Sequence, residues 1–202
     1  MLTYEIKQVN NRKDFIMKHT KHHKFSVRDI VMTGMFAAFL AVISQLAIPM
    51  PSGVPVTIQV FGIALVGTIL GSGQGAMAVL VYILIGAVGA PVFANFQGGL
   101  QVITSTAGGY IIGWPFMAAL CGIRTDFRNP KVNLGFQILF SLLGLAIVEA
   151  LGAFQWAYLT QGDLRPILIY SFTAFIPKDI VITILAVFIG RSLKKRIEKI
   201  SN

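Results

Sequence analysis

The chain alternates between long apolar blocks and short breaks that carry proline, glycine or polar residues. A helix that crosses a bilayer needs about 20 mainly apolar residues, with roughly 17–25 as the working range. Six blocks come near that length. The first runs from Ile30 to Met50 and is closed by Pro49 and Pro51. The second, Val56 to Leu70, ends at the Gly71-Ser-Gly-Gln-Gly75 turn, and the third, Ala76 to Ala90, is stopped by Pro91. A polar, glycine-containing stretch over 95–106 precedes the fourth, Ala107 to Ile123, and the fifth is Val132 to about Leu159. Proline favours the first turn of a helix, so the sixth starts at Pro177 and runs into a basic tail near Arg191. This pattern predicts an all-α polytopic membrane protein with six transmembrane helices. The domains that follow are a basic arm over 1–28, a helical bundle over 29–192 and a basic tail over 193–202.

Composition agrees. The 202 residues are 55% hydrophobic and only 12% charged, roughly half the usual share for a soluble domain. A net charge of +9 would by itself suggest a nucleic-acid partner. Its placement says otherwise: seven basic residues lie in 1–28, five lie in 191–199, and only five lie between. Six spans put both termini on one face. That face then holds fifteen lysines and arginines, with Arg124, Arg128 and Lys131 in the connection between spans four and five, against Arg165 and Lys178 on the other. The positive-inside rule makes both termini cytoplasmic. Anionic headgroups would attract the arm, so membrane lipid is an expected partner and nucleic acid is not.

Several chemistries are poorly supplied. One cysteine, Cys121, excludes an internal disulfide framework and a multi-cysteine metal site. The three histidines (His19, His22, His23) all fall in the arm, so no span offers a triad or a two-histidine metal motif. Those 28 residues also lack the apolar core of a cleaved signal peptide. No Gly-Lys-[Ser/Thr] ending exists, so the chain is not expected to hydrolyse ATP, and no enzymatic activity is expected of it.

Charges inside spans are expensive and mark functional candidates. Glu149 falls in the outward half of the fifth span, and Lys178 and Asp179 fall in the first turn of the sixth. Gln45, Gln59 and Asn95 add amides at the same level, where the connections 49–55, 92–106 and 160–177 are the unusual ones. A site open to the outer face is the natural inference. Plainer readings stand beside it. Asp179 offsets a helix macrodipole while Lys178 snorkels to the interface, and Glu149 pairs internally with Lys178 or Arg165. The Thr106-Ala-Gly-Gly-Tyr110 string either lets helices pack closely or brings backbone N–H groups to an anionic ligand.

Five strings occur in order: Val54-Pro-Val-Thr-Ile-Gln59, Tyr82-Ile-Leu-Ile-Gly-Ala-Val-Gly-Ala-Pro-Val-Phe93, Gly98-Gly99, Gly108-Gly-Tyr-Ile-Ile-Gly113 and Phe175-Ile-Pro-Lys-Asp179. Over roughly 30–190 the chain resembles the BioY family, the biotin-binding S components of energy-coupling factor (ECF) transporters. Two positions depart from the family pattern. Ala107 stands where the family carries a threonine, with Thr106 beside it, and Lys178 stands where the family has glycine before the aspartate. The resemblance implies an S-component-like six-helix bundle in a bacterial cytoplasmic membrane. It implies high-affinity capture of biotin from the outer face, with biotin as transported ligand and no cofactor. Partners would be a transmembrane coupling subunit, docked through Ala37 and Ala41, and two cytoplasmic ATPases.

Biotin chemistry fits the candidate side chains. Asp179 can accept the ureido N–H groups, while Asn95 or Lys178 can donate to the ureido carbonyl. Gln59 and the backbone of Gly108 and Gly109, near Thr106, can receive the carboxylate, and Phe93 and Tyr110 can line the apolar part. Lys178 could instead reach the carboxylate. Glu149 completes the polar set. Two other classes compete. A self-sufficient secondary transporter or channel needs coupling-ion sites and often internal repeats, and only Glu149 offers a proton site. An intramembrane enzyme needs a nucleophile and a base that the spans do not supply.

Overall fold

A computed structural model describes residues 26–50, 53–125 and 128–200; most of the basic arm lies outside them, as do Pro51, Ser52, Asp126, Phe127 and the last two residues. The chain divides into two compact units at Ile30. Of the first, the described part is Ser26–Ile30, where the Ser26 N–H donates to the Asp29 carboxylate at 3.0 Å and opens α1 (Val27–Ile43). A carboxylate at that position also complements the helix dipole.

Among the described residues, the regular structure of the second unit is helical apart from a hairpin with two residues in each strand. After α1 come β1 (Ala47–Ile48) and β2 (Val56–Thr57), antiparallel with Ala47 opposite Thr57. Then follow α2 (Gln59–Leu70), α3 (Ser72–Ala87), a 3-10 turn (Ala94–Phe96), α4 (Leu100–Ile103), α5 (Gly108–Cys121), α6 (Pro130–Thr160), α7 (Leu164–Ala174) and α8 (Ile176–Ile200).

Each predicted span overlaps one of α1, α2, α3, α5, α6 and α8. Their lengths differ from prediction. Among the described residues only α6 is long and apolar enough to cross a membrane unbroken, and α7–α8 would add a second if counted as one span bent by 48°. Helices α2, α3 and α5 are apolar but shorter; the 12 residues of α2 rise only about 18 Å.

The first helix ends at Ile43 rather than Met50, the third begins at Ser72 inside the expected 71–75 turn, and two further boundaries are corrected. The outer connection expected over 160–177 folds as α7, because Pro166 lies in its first turn, where a missing backbone N–H costs nothing. The sixth helix does not stop near Arg191 but continues to Ile200, since lysine, arginine and glutamate are good helix formers once past the apolar stretch.

Helix α2 sits at the centre, buried on nearly every residue from Gln59 to Ile69. A helix apolar all round must be surrounded. Leu40 and Ile43 of α1 press on Gly62, Ala118 of α5 on Gly67, and Thr68 faces Gly190 of α8. Gly71, at φ 91°, turns the chain directly from α2 into α3, a conformation that residues with a Cβ rarely adopt.

The α5–α6 pair is the tightest contact. A Cβ on Gly109 would strike the Leu151 carbonyl, one on Gly113 would meet Val148, and one on Gly144 would meet Met117. Partner numbers fall along α6 as they rise along α5, so the helices run antiparallel. Asn129 caps α6 by accepting the Lys131 N–H at 3.0 Å, with Pro130 at the first helical position.

Candidate functional site

At the end of the bundle where α2, α5 and α8 begin, the helices leave a cavity of about 730 Å³ counted to its open mouth. It is lined by the β1–β2 hairpin, the starts of α2 and α5, the 93–97 turn, α4, the middle of α6 and the first turn of α8.

Its polar floor comes from α8 and α6. Lys178 Nζ donates to Asp179 Oδ1 at 2.5 Å and to the Thr57 carbonyl at 2.5 Å, so one ammonium ties the hairpin to α8. Asp179 is only 3% exposed. Glu149, likewise buried, keeps Oε2 without a hydrogen-bond partner among the described residues. It also borders an apolar groove between α6, α7 and α8. A buried carboxyl oxygen with no donor carries a desolvation cost that a ligand donor would relieve.

Aromatic rings form the walls. Tyr110 lies edge-on to Phe175 with ring centroids 6.1 Å apart, and its hydroxyl pairs with Ser171 Oγ at 3.0 Å. Trp114, one turn further along α5, stacks near Tyr82, and Tyr82 meets Phe93 edge-to-face at 5.7 Å. The Phe93 ring fills the space over Gly86, where any Cβ would collide with it.

A polar lattice fixes the turn that carries Phe93. Gln45 Nε2 donates to the Phe93 carbonyl at 3.1 Å, and Gln45 Oε1 accepts the Phe96 N–H at 2.9 Å. Ser44 Oγ and Tyr82 Oη both donate to the Val92 carbonyl, at 2.6 and 3.0 Å. Asn95 and Phe96 take left-handed backbone, each at φ 56°. Across the mouth, Gln155 Nε2 donates to the Ile103 and Ser105 carbonyls at 2.9 and 2.7 Å and holds the α4–α5 connection.

Of the predicted site residues, the fold brings Phe93, Tyr110, Glu149, Lys178 and Asp179 onto one cavity. Others are placed elsewhere. Gln59 is buried beside it and donates to Tyr82 Oη at 2.7 Å. Asn95 is exposed at the tip of the turn whose neighbours Phe93, Ala94 and Gln97 line the cavity. Thr106 lies between two lining residues, Ser105 and Ala107, with its hydroxyl toward Gly53.

Gly108 gives its N–H to the Ser105 carbonyl at 3.0 Å, and both glycines of the pair abut protein: Ile103 and Gln155 for Gly108, Leu151 for Gly109. Their close approach serves helix packing, and Gly108's backbone donor is already used. Ala37 is 2% exposed in the core and Ala41 is half-buried. The small residues that α1 presents outward are Gly34 and Ala38.

Thr57, Gln97, Ser105 and Trp114 also line the cavity and were not foreseen. Trp114 had a signal, since it follows Tyr110 by four residues on one helix face. Gln97 and Ser105 had none, being placed by loop folding. Among the described residues no three histidine, cysteine or acidic side chains gather as metal ligands.

A helical bundle with a half-open, aromatic-walled cavity and buried carboxyl groups defines a binding protein for a small polar organic molecule. The BioY family model matches residues 17–199, and the chain belongs to that family. It is 34% identical over 169 residues to the biotin transporter BioY of Thermotoga maritima, covering 84% of this chain and 97% of that protein. To the biotin transporter BioY of Rhodobacter capsulatus it is 34% identical over 176 residues, 82% and 93% of the two chains. A crystal structure described as the S-component for biotin from an ECF-type ABC transporter superposes with a TM-score of 0.75 at 28% identity, covering 87% of this chain and 95% of that one.

Proposed function

We propose that this chain is a multi-pass membrane protein that captures biotin for uptake, as the substrate-binding subunit of an ATP-driven ECF transporter. One observation carries the reading: Asp179, buried with Lys178 at the floor of an aromatic-walled cavity, in a chain that matches biotin transporters over most of its length. Biotin has two ureido N–H donors, a ureido carbonyl, an apolar bicycle and tail, and a carboxylate. Asp179 accepts the ureido N–H groups. Because Lys178 Nζ lies 2.5 Å from Asp179 Oδ1, it serves the same end of the ligand and can donate to the ureido carbonyl. Trp114, Tyr110, Phe93 and Phe175 enclose the apolar part.

The magnitudes are sufficient. Hydrogen bonds to charged groups contribute about 1.5–3 kcal/mol each, and nanomolar binding needs about 12 kcal/mol in total. A few such bonds with burial of the bicycle and tail reach that range. Among the described residues, Arg124, Arg128, Lys131, Arg191, Lys194 and Lys195 lie at the end of the bundle away from the cavity, which by the positive-inside rule supports cytoplasmic termini and an outward-opening cavity. ATP hydrolysis belongs to two cytoplasmic partner subunits, reached through a transmembrane coupling subunit on the outward face of α1, where Gly34 and Ala38 let a helix approach closely.

Calorimetry on the detergent-purified chain tests the reading, with biotin and other vitamins titrated in parallel. Saturable, tight binding of biotin alone supports it. Tight binding of another vitamin, with none for biotin, overturns the substrate.

A further inference from the structure

At the end of the bundle away from the cavity, a second recess lies between the C-terminal ends of α2 and α5, the start of α6 and the basic stretch of α8. It encloses about 620 Å³ counted to its mouth. Helices α6 and α8 serve both sites. Glu149 and Asp179 line the cavity, while Gln137 and Arg191 line the recess, about 18 Å further along each helix at 1.5 Å per residue.

Four lining side chains are cationic (Arg124, Arg191, Lys194 and Lys195), and none of the described lining residues is acidic. The partners of Arg191 and Lys194 are neutral. Arg191 Nη1 donates to Gln137 Oε1 at 2.9 Å, and Lys194 Nζ reaches the Thr68 carbonyl at 3.5 Å. Thr125 and Asn133 add a hydroxyl and an amide, joined at 3.1 Å. Thr68 is only 3% exposed, and its Oγ1 has no partner among the described residues.

A plainer role explains part of this. Cations beside the last carbonyls of a helix complement its dipole, which accounts for Lys194 at the end of α2. It does not call for Arg191 and Lys195 to gather beside it. Like charges held together at the edge of a low-dielectric bundle repel one another, and a bound anion removes that repulsion. The guanidinium fork of Arg191 suits a tetrahedral oxyanion, and the ammonium groups bind it as point charges.

We propose that this recess binds a phosphate group through Arg191, Lys194 and Lys195. Two sources present the same chemistry: the phosphodiester headgroup of an anionic lipid, for which basic pockets between membrane helices are suited, and free inorganic phosphate. The site is independent of biotin binding.

The test uses the full chain in two settings. In phosphatidylcholine nanodiscs doped with phosphatidylglycerol, native mass spectrometry reads which lipid stays bound; in detergent, calorimetry reads inorganic phosphate. The Lys194→Gln/Lys195→Gln pair is compared with Arg196→Gln/Lys199→Gln, which removes equal charge outside the recess. Circular dichroism checks that both keep their helices. If either pair unfolds, the single Lys195→Gln and Lys199→Gln changes, both on exposed side chains, replace them.

The expected result is preferential retention of phosphatidylglycerol, or saturable phosphate binding. Affinity falls about 25-fold in the recess pair, at about fivefold per cation, and is unchanged in the control pair. Retention in nanodiscs without binding of free phosphate assigns the lipid source, and the reverse assigns phosphate. Absence of both, or an equal loss in the two pairs, overturns the proposal.

Discussion

Asp179 has one carboxylate oxygen tied to Lys178, and its second has no protein donor among the described residues. In the proposed function that second oxygen is the acceptor offered to biotin. Asp179→Asn keeps the side-chain shape while removing the charge, so biotin affinity should fall about 10- to 100-fold, which is ~1.4–2.8 kcal/mol. Calorimetry measures it, and unchanged affinity in a folded variant would remove Asp179 from the site. Tyr82 acts differently. Its hydroxyl accepts from Gln59 and donates to the Val92 carbonyl, both away from the ligand. Tyr82→Phe should therefore lower stability by about 1–3 kcal/mol, because it strands the buried Gln59 amide while the Val92 carbonyl keeps the Ser44 hydroxyl. Thermal unfolding in detergent reads that loss, with a smaller effect on biotin affinity than Asp179→Asn. Gln59 shows why residue roles were only partly legible. Its sequence position marks it as a costly buried amide, but only the fold shows that a tyrosine from another helix takes its donor.

Among the elements, the α5–α6 pair sets the cavity's width, because Tyr110 and Trp114 on α5 face Val148 and Glu149 on α6. Glycines at the crossing determine how near the two come. Gly109→Ala would drive a methyl into the Leu151 carbonyl, which belongs to helical backbone and cannot yield. A destabilisation of about 1–3 kcal/mol is expected from this overpacking. Gly135→Ala on α6 meets open space and should be neutral or stabilising by up to about 1 kcal/mol. Melting temperatures of the two variants side by side check the contrast, and equal effects would show that the crossing is not close-packed. The six apolar blocks were legible because each is long, hydrophobic and ended by proline, glycine or charge. Helix α7 was not, since its 11 residues are interrupted by Arg165 and Pro166 and carry no span-length signal. The hairpin was equally hidden, two residues per strand being too short for any alternation to register.

At the scale of the whole molecule, the separation of charge from cavity makes a topology prediction. Arg128→Cys and Asp163→Cys place a reporter at opposite ends of α6, both on exposed residues. The native Cys121 is fully buried and should stay silent. In intact cells, a membrane-impermeant maleimide should label Asp163→Cys, and Arg128→Cys only after the membrane is opened. Labelling in the reverse order would invert the proposed orientation.

The sequence by itself determined the all-helical class, the concentration of basic residues at the two ends of the chain and the motif strings that mark the family. These depend on hydrophobic run length, charge placement and local order, all of which lie along the chain. Tertiary structure decided which polar residues share a cavity and which hold the frame. It moved Ala37 into the core, turned the Gly108-Gly109 pair toward protein, and set Lys178 between Thr57 and Asp179. Those outcomes depend on which helix faces meet and on where each donor finds its acceptor, across separations such as the 121 residues between Thr57 and Lys178. Periodicity fixes how residues are spaced along one helix, whereas the partner a buried polar group finds is fixed only when the helices pack.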